Sequence, residues 1–472
     1  MKEKFLKDLG IYGVSTLLVR LINFILIPVF ARVLGPVSYG VLDLINVLTY
    51  ITSVFVFLEM YQSVARFYND GNSVEQKQIV STGLWHYLYA IILLLIIVFL
   101  FQEKLSVWLT ESPDDKGIVY LAFVAAACMS LFNYLQTIQR FALQSTGYAM
   151  ANVACVLSTV LVSIALVVYY DQGLKGVFIG QIAGAVVGIA FGIRKHIHEL
   201  HGLPDRALWI KMLAFSSPLT ISAVLLYLMN YIDRMMIKEI LGLSSVGMYA
   251  VIFRIAAVPM LAMNIIGNSL LPHIYRDYKE SKKVAEFGEI YHFIWLGGLL
   301  LIGWMAWLSP EIIRIMAGSQ YSENTYLFPV MLISGFLLHY SYLFVGLFLD
   351  HKTRMNAYLY LLGLVFVFAI NLCLLPVYGL AGSAIGSFCT ALLILVTQFY
   401  FSQKAFYFPI SIKTLVSQGL LVMIPLLLLF YWGYQHKSLD LLFRLVMASL
   451  ITIVLLYFSR KSWLGLIKAR QQ

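Results

Sequence analysis

The sequence predicts an all-α integral membrane protein of about 14 transmembrane helices: two six-helix lobes related by a parallel repeat, plus two C-terminal helices. Three observations lead there: a composition too apolar for water, a regular alternation of apolar runs and polar breaks, and basic residues gathered on one side. Of 472 residues, 61% are hydrophobic and only 12% are charged, whereas soluble domains carry about 25% charge. A chain this poor in charge has lipid as its solvent. Its 30 Tyr and 31 Phe suit interfacial belts and a lined cavity. The net charge of +10 is spread over short loops rather than gathered on one face, so no nucleic-acid partner is expected. Cys128, Cys155, Cys373 and Cys389 all fall in apolar stretches, where inert packing is expected rather than a disulfide framework.

A helix crossing a hydrocarbon core of ~30 Å needs roughly 20 residues. Runs of that kind fall at 9–33, 40–64, 80–101, 117–138, 148–170, 174–193, 212–236, 245–270, 290–308, 326–349, 355–376, 380–402, 413–433 and 439–459. The opening MKEKFLKDLG has the basic flank of a signal peptide. The run after it is interrupted by Arg20 and lacks a small-residue cleavage site, so a retained first helix is expected. With the N-terminus in the cytoplasm, the cytoplasmic breaks and tails hold 22 of the 33 Lys and Arg; the opposite side holds 7, and 4 lie within spans or at their ends. That bias fits the positive-inside rule. It predicts a multi-pass membrane protein with both termini in the cytoplasm.

The chain also repeats itself. Gly173-Leu174-Lys175-Gly176 through Ile179-Gly180 matches Gly379-Leu380-Ala381-Gly382 through Ile385-Gly386, 206 residues on. Leu34-Gly35 with Ser38 and Gly40 matches Leu241-Gly242 with Ser245 and Gly247, 207 residues on. Two matches at nearly one offset predict a six-helix lobe over 1–193, a basic cytoplasmic linker over 194–211, a second lobe over 212–402, and two added helices with a cytoplasmic tail over 403–472. Six is even, so both copies share one orientation, the parallel-repeat plan of a transporter. Gly176, Gly180, Gly184, Gly188 and Gly192 recur every four residues and mark a bare ridge for helix packing.

Charges inside hydrocarbon are costly and commonly mark a pathway. Arg20 lies ~17 Å past Leu9 along a helix, near the bilayer centre and beyond easy snorkelling. It either lines a cavity or pairs with Asp43 or Glu59 of the second helix. Arg254 either snorkels or lines the same cavity. Asp43, Glu59 and Asp233 are candidates for a coupling proton or cation. The alternatives are a local or capping role for Asp43 and Glu59, an acid at Asp43 also suiting the helix dipole, and a local pair with Arg234 or interfacial anchoring for Asp233. Asn46, Asn230 and Asn264, with Asn23 and Asn268, offer hydrogen bonds either to sugar hydroxyls or between helices. Arg66 and Arg444 read as interfacial. Pro28, Pro218, Pro259 and Pro272 are expected to bend helices one, seven and eight. His196, His198 and His201 have metal-like spacing, but their loop is basic and brings no nearby Cys or acid cluster. No phosphate loop, dinucleotide fingerprint or nucleophile elbow occurs, so neither cofactor nor catalytic residue is expected.

Arg20 through Pro28, Ala31-Arg32-Val33-Leu34-Gly35-Pro36 and Tyr39-Gly40 resemble the opening of the polysaccharide transporters (Wzx-type O-antigen flippases) of the multidrug/oligosaccharidyl-lipid/polysaccharide (MOP) exporter superfamily. Leu241-Gly242 with Gly247 and Tyr249, and Pro310-Glu311-Ile312-Ile313 to Gly318 and Tyr321, are similar to that family too. The resemblance implies a V-shaped pair of lobes that open alternately to each side. It implies an undecaprenyl-pyrophosphate-linked oligosaccharide as substrate, with Arg20 and Arg254 as the cationic lining. A polysaccharide polymerase or assembly complex is a further candidate partner. Rival readings are a lipid II flippase, a drug or cation exporter of the same superfamily, and a membrane-bound polymerase or glycosyltransferase. The last needs an extramembrane site that the short breaks leave no room for.

Overall fold

The computed structural model describes residues 2–68, 73–142, 144–193, 202–350, 352–435 and 439–469. Within those ranges the side chains of Arg20, Asn23 and Asn268 lie outside the described set, as does the loop carrying His196, His198 and His201. No strand occurs among the described residues. Among the described residues, eleven helices are long and apolar enough to cross a membrane, or twelve if one bent pair counts as a single span.

The first compact unit covers Met1–Leu228 and the second Met229–Gln472. The first contains α1 (Lys2–Phe57), α2 (Met60–Phe67), α3 (Ser73–Thr110), α4 (Lys116–Phe141), α5 (Ser145–Ile164) and α6 (Gly173–Ile193). The division falls within α7 (Arg206–Leu241). The second unit continues with α8 (Leu243–Ala256), α9 (Val258–Asp277), α10 (Ser281–Trp307), α11 (Ser309–Met316) and α12 (Leu327–Ser341). It ends with α13 (Gly346–Leu349), α14 (Thr353–Tyr378), α15 (Leu380–Ala405), α16 (Ile412–Tyr434) and α17 (Leu441–Ala469).

The breaks follow from particular residues. α1 runs through two helices that meet at Gly35, whose φ of 72° and ψ of 172° are non-helical. Its matched residue Gly242 has φ 82° and ψ 175° and opens α8. Only a residue without Cβ adopts that region at little cost. The other matched pair, Gly173 and Gly379, also shares positive φ, 51° and 57°, each at the start of a helix. A further pair at the 207-residue offset, Glu111 and Gly318, has φ of 61° and 96°. α8 and α9 meet at a 45° bend beside Pro259, which sits in the first turn of α9. Pro218 lies inside α7, which continues unbroken to Leu241. A ring there removes one backbone donor.

In the first unit the glycine ridge of α6 does what its spacing suggests. A Cβ at Gly180 or Gly184 would strike Ser163 or Thr159 of α5, and one at Gly188 would come within 2.6 Å of Phe132 and 2.9 Å of Cys155. Close backbone approach of this kind replaces the hydrophobic driving force that lipid removes. Beside it, Tyr134 is fully buried and its hydroxyl donates to the Val80 carbonyl at 2.5 Å. Tyr87 stacks on Phe57 with ring centroids 4.7 Å apart. On the outside of α3, Ile92, Leu93, Ile96, Phe99 and Leu100 are all more than half exposed, as a lipid-facing surface requires.

In the second unit α12 lies in the most buried of the candidate spans. The Tyr340 hydroxyl donates to the Tyr291 carbonyl at 3.0 Å, and the Tyr291 hydroxyl to the Leu343 carbonyl at 2.5 Å. α17 docks on α10 through Trp304 Nε1, which donates to Thr452 Oγ1 at 3.0 Å. Arg444 fastens the start of α17. Its guanidinium forks onto both oxygens of Glu311 at 2.7 and 2.6 Å and also donates to the Trp307 carbonyl. Burial alone would raise the Glu311 carboxyl, but the hydrogen bonds and charge of Arg444 hold it below the usual carboxylate range. Arg444 is 6% exposed and serves as an internal clamp. Arg66 is exposed, with its guanidinium 5.7 Å from the Phe67 ring.

Candidate polar cavity of the first unit

A helix break sets the site. Leu58 and Glu59, with φ of 49° and 51°, stand in the left-handed region between α1 and α2. Left-handed φ is strained for residues carrying a Cβ. The turn leaves Glu59 8% exposed at the wall of a cavity of about 630 Å³. Asn46, Thr49, Tyr50 and Ser53 of α1 line the same cavity, as do Tyr61 of α2 and Tyr87 of α3. α4 contributes Ser130, Asn133, Gln136, Thr137 and Arg140; α5 gives Tyr148 and Asn152, α6 gives Gln181, and Tyr227 of α7 completes the wall.

The wall mixes polar and apolar side chains, and among the described residues Glu59 and Arg140 are its only charged ones. Glu59 stands at the N-cap position of α2 without a side-chain capping bond, and its Oε2 accepts from Gln62 Nε2 at 3.4 Å. The side chain thus makes a local hydrogen bond rather than a cap. Arg140 donates to the Tyr148 hydroxyl at 3.1 Å, and its guanidinium lies 5.3 Å from that ring. Gln136 Nε2 donates to Gln139 Oε1 at 3.3 Å. Tyr50 and Tyr227 stack with centroids 4.0 Å apart.

Of the described residues singled out by sequence, Asn46 and Glu59 reach this cavity. Asp43, one helical turn before Asn46, is 5% exposed. In the second unit Asp233 sits in a sealed cluster. Its Oδ1 accepts from Arg234 Nη1 at 2.6 Å and its Oδ2 from the Tyr249 hydroxyl at 2.8 Å. Arg234 Nη1 also donates to the Asn230 carbonyl at 3.1 Å. Arg254 is half-buried in the last turn of α8, beside the bend. Asn264 is exposed, and its side chain donates to the Met260 carbonyl at 2.9 Å, a local bond within α9.

Sequence reasoning missed the amides of α4 to α6. Asn133, Gln136, Thr137 and Arg140 stand at i, i+3, i+4 and i+7, a polar stripe down one face of an apolar helix. Helical periodicity alone could have found them, but attention to charges within spans passed over a helix whose two charges, Lys116 and Arg140, lie at its ends.

Residues 5–276 match the family described as polysaccharide biosynthesis protein. A Shigella flexneri protein named as an O-antigen transporter is 24% identical over 373 residues, covering 75% of this chain and 87% of its own length. Among solved structures, the lipid II flippase MurJ in an inward closed conformation aligns with a TM-score of 0.64 at 15% identity, covering 95% of this chain and 99% of that one. An inward-facing multidrug resistance MATE family transporter of the MOP superfamily aligns with a TM-score of 0.64 at 11% identity, covering 83% of this chain and 98% of its own. The chain belongs to the polysaccharide biosynthesis protein family and has the fold of the MOP superfamily.

Proposed function

We propose that the protein is a flippase. It moves an undecaprenyl-pyrophosphate-linked oligosaccharide, the repeat unit of an O antigen, capsule or exopolysaccharide, from the cytoplasmic to the outer leaflet by alternating access. The family match over 5–276 carries this reading, and the name of the Shigella flexneri relative points the same way. The physics agrees. A sugar hydroxyl left unpaired in hydrocarbon costs several kcal/mol, and a pyrophosphate far more. A polar cavity inside an apolar bundle lowers that barrier while the polyprenyl tail stays in lipid, and no bond needs to break.

The reading places fourteen helices in a bacterial inner membrane, in two six-helix lobes and an added pair. The kink at Gly35 supports dividing the long first span in two. The α8–α9 pair and the shorter apolar helix Leu441–Tyr457 would supply the others. Arg20 and Arg254 are the proposed contacts for the anionic part of the substrate, with Asn46, Asn230 and Asn264 for its hydroxyls. Glu59, which faces the cavity, is the first choice for a coupling ion, ahead of Asp43 and of Asp233, whose carboxylate Arg234 and Tyr249 already hold.

Cells lacking the protein should accumulate lipid-linked repeat units on the cytoplasmic leaflet. Labelling the glycan with a membrane-impermeant reagent in right-side-out and inside-out vesicles reads this directly, and an unchanged leaflet distribution would overturn the flippase reading. Reporter fusions at Lys283 and Gln472 should both signal cytoplasm; an external signal at either would overturn the proposed topology.

A further inference from the structure

We propose that the cavity of the first unit is a subsite for the glycan end of the cargo, reading uncharged, hydroxyl- or acetamido-bearing sugars through its amides and tyrosines and leaving the pyrophosphate to other residues. The proposal rests on the flippase reading and makes it more specific. Each Asn or Gln side chain both donates and accepts hydrogen bonds without net charge, which suits vicinal hydroxyls and acetamido groups. The capacity here is unspent. Gln136 is 5% exposed, and its Oε1 has no hydrogen-bond partner. A buried acceptor left in that state costs ~1–3 kcal/mol, and because this oxygen is closed to solvent, Gln136 offers it to a donor only when its side chain turns into the cavity. Among the described residues, the side-chain amides of Asn133, Asn152 and Gln181 also make no hydrogen bond to protein.

Shape and charge narrow the ligand. About 630 Å³ falls within the ~300–1,000 Å³ typical of small-molecule sites, room for a short oligosaccharide but not for its polyprenyl tail. The stacked Tyr50 and Tyr227 put aromatic surface at the wall, against which the C–H face of a sugar ring can pack. A pyrophosphate calls for several converging cations, yet among the described residues Arg140 is the only Lys or Arg lining this cavity, it is already engaged with Tyr148, and Glu59 opposes it. On the proposed topology, the end of α4 and the start of α5 lie towards the cytoplasm, the side from which cargo is loaded.

The full-length protein in lipid nanodiscs would be titrated with N,N′-diacetylchitobiose, maltose, a diuronic acid and sodium pyrophosphate, with binding read by saturation-transfer NMR and calorimetry. At least one uncharged disaccharide should bind, and pyrophosphate should not displace it. Gln136→Leu and Asn152→Ala should each weaken that binding about tenfold, at wild-type abundance and unfolding temperature. Should Gln136→Leu fail to fold, the half-buried Asn152 still carries the test. Binding to neither uncharged sugar, displacement by pyrophosphate, or variants that bind like wild type would overturn the subsite. The vesicle assay separates the two ideas. An unaltered leaflet distribution sinks the flippase reading whatever the sugars do. Altered distribution with unaffected sugar binding in the variants sinks the subsite alone.

Discussion

Arg234→Met is expected to leave little folded protein in the membrane, with a far larger loss than removing a surface charge would cause. The Arg234 and Asp233 side chains are 1% and 4% exposed, and the salt bridge between them measures 2.6 Å. The guanidinium is caged by three aromatic rings, with centroids at 4.1 Å for Phe253, 4.9 Å for Tyr231 and 5.1 Å for Tyr249. Removing one partner of a buried pair strands the other charge, at a cost of about 3–5 kcal/mol. That is a large part of the ~5–15 kcal/mol by which proteins are commonly stable. Asp233→Ala should be comparably damaging, since it leaves a cation among aromatic rings without its counter-ion. The double variant Asp233→Asn/Arg234→Met removes both charges and keeps most of the volume, so it should recover much of the abundance. Size-exclusion profiles of detergent extracts, with unfolding temperatures, read all three. If the double variant is as poor as the worse single one, the cluster holds the fold through packing and hydrogen bonds rather than through charge balance. If the double variant folds well but transport is lost, Asp233 regains its place among the coupling-ion candidates.

The helical plan could be read from sequence because lipid imposes it. Backbone groups in hydrocarbon must bond within their own helix, so apolar runs of about the right length translate almost directly into spans. The shared left-handed φ of Gly35 and Gly242 was foreshadowed because glycine is the residue that such a turn demands. The partner pair Glu111 and Gly318 could not be matched by residue type. Glu111 also takes a positive φ, with a side chain, so the structure carries a correspondence that identity conceals. The break at Leu58 and Glu59 has neither Gly nor Pro to announce it, and the turn it makes brings Glu59 to a cavity wall. The cavity itself was half visible. Asn46 and Glu59 stood out as polar residues among apolar ones, whereas the face that joins them to Gln136, Asn152 and Gln181 comes from four separate helices. The Arg444–Glu311 clamp spans 133 residues, and no local pattern encodes a pairing at that distance.

Arg20→Ala is expected to abolish surface polysaccharide while the protein still inserts at wild-type abundance. If the span opens near Leu9, as the sequence predicts, this arginine stands ~17 Å into it, a depth at which an unused charge would be selected against for its solvation cost alone. If it meets a phosphate or an acidic sugar, charge matters more than shape. Arg20→Lys keeps the cation but loses the planar fork, so it should retain part of the transport, whereas Arg20→Glu should retain none. A structural role makes a different forecast. Asp43 and Glu59 are 5% and 8% exposed, buried enough that an ion pair with Arg20 would matter to folding. In that case removing either partner lowers abundance, and exchanging the two charges restores it. Quantitative blots of membrane protein alongside polysaccharide output separate the outcomes: normal abundance without polysaccharide supports cargo contact, and low abundance rescued by the charge swap supports the pair. Full transport by a well-expressed Arg20→Ala variant would remove the residue from the mechanism and leave Arg254 as the remaining proposed contact for the anionic group.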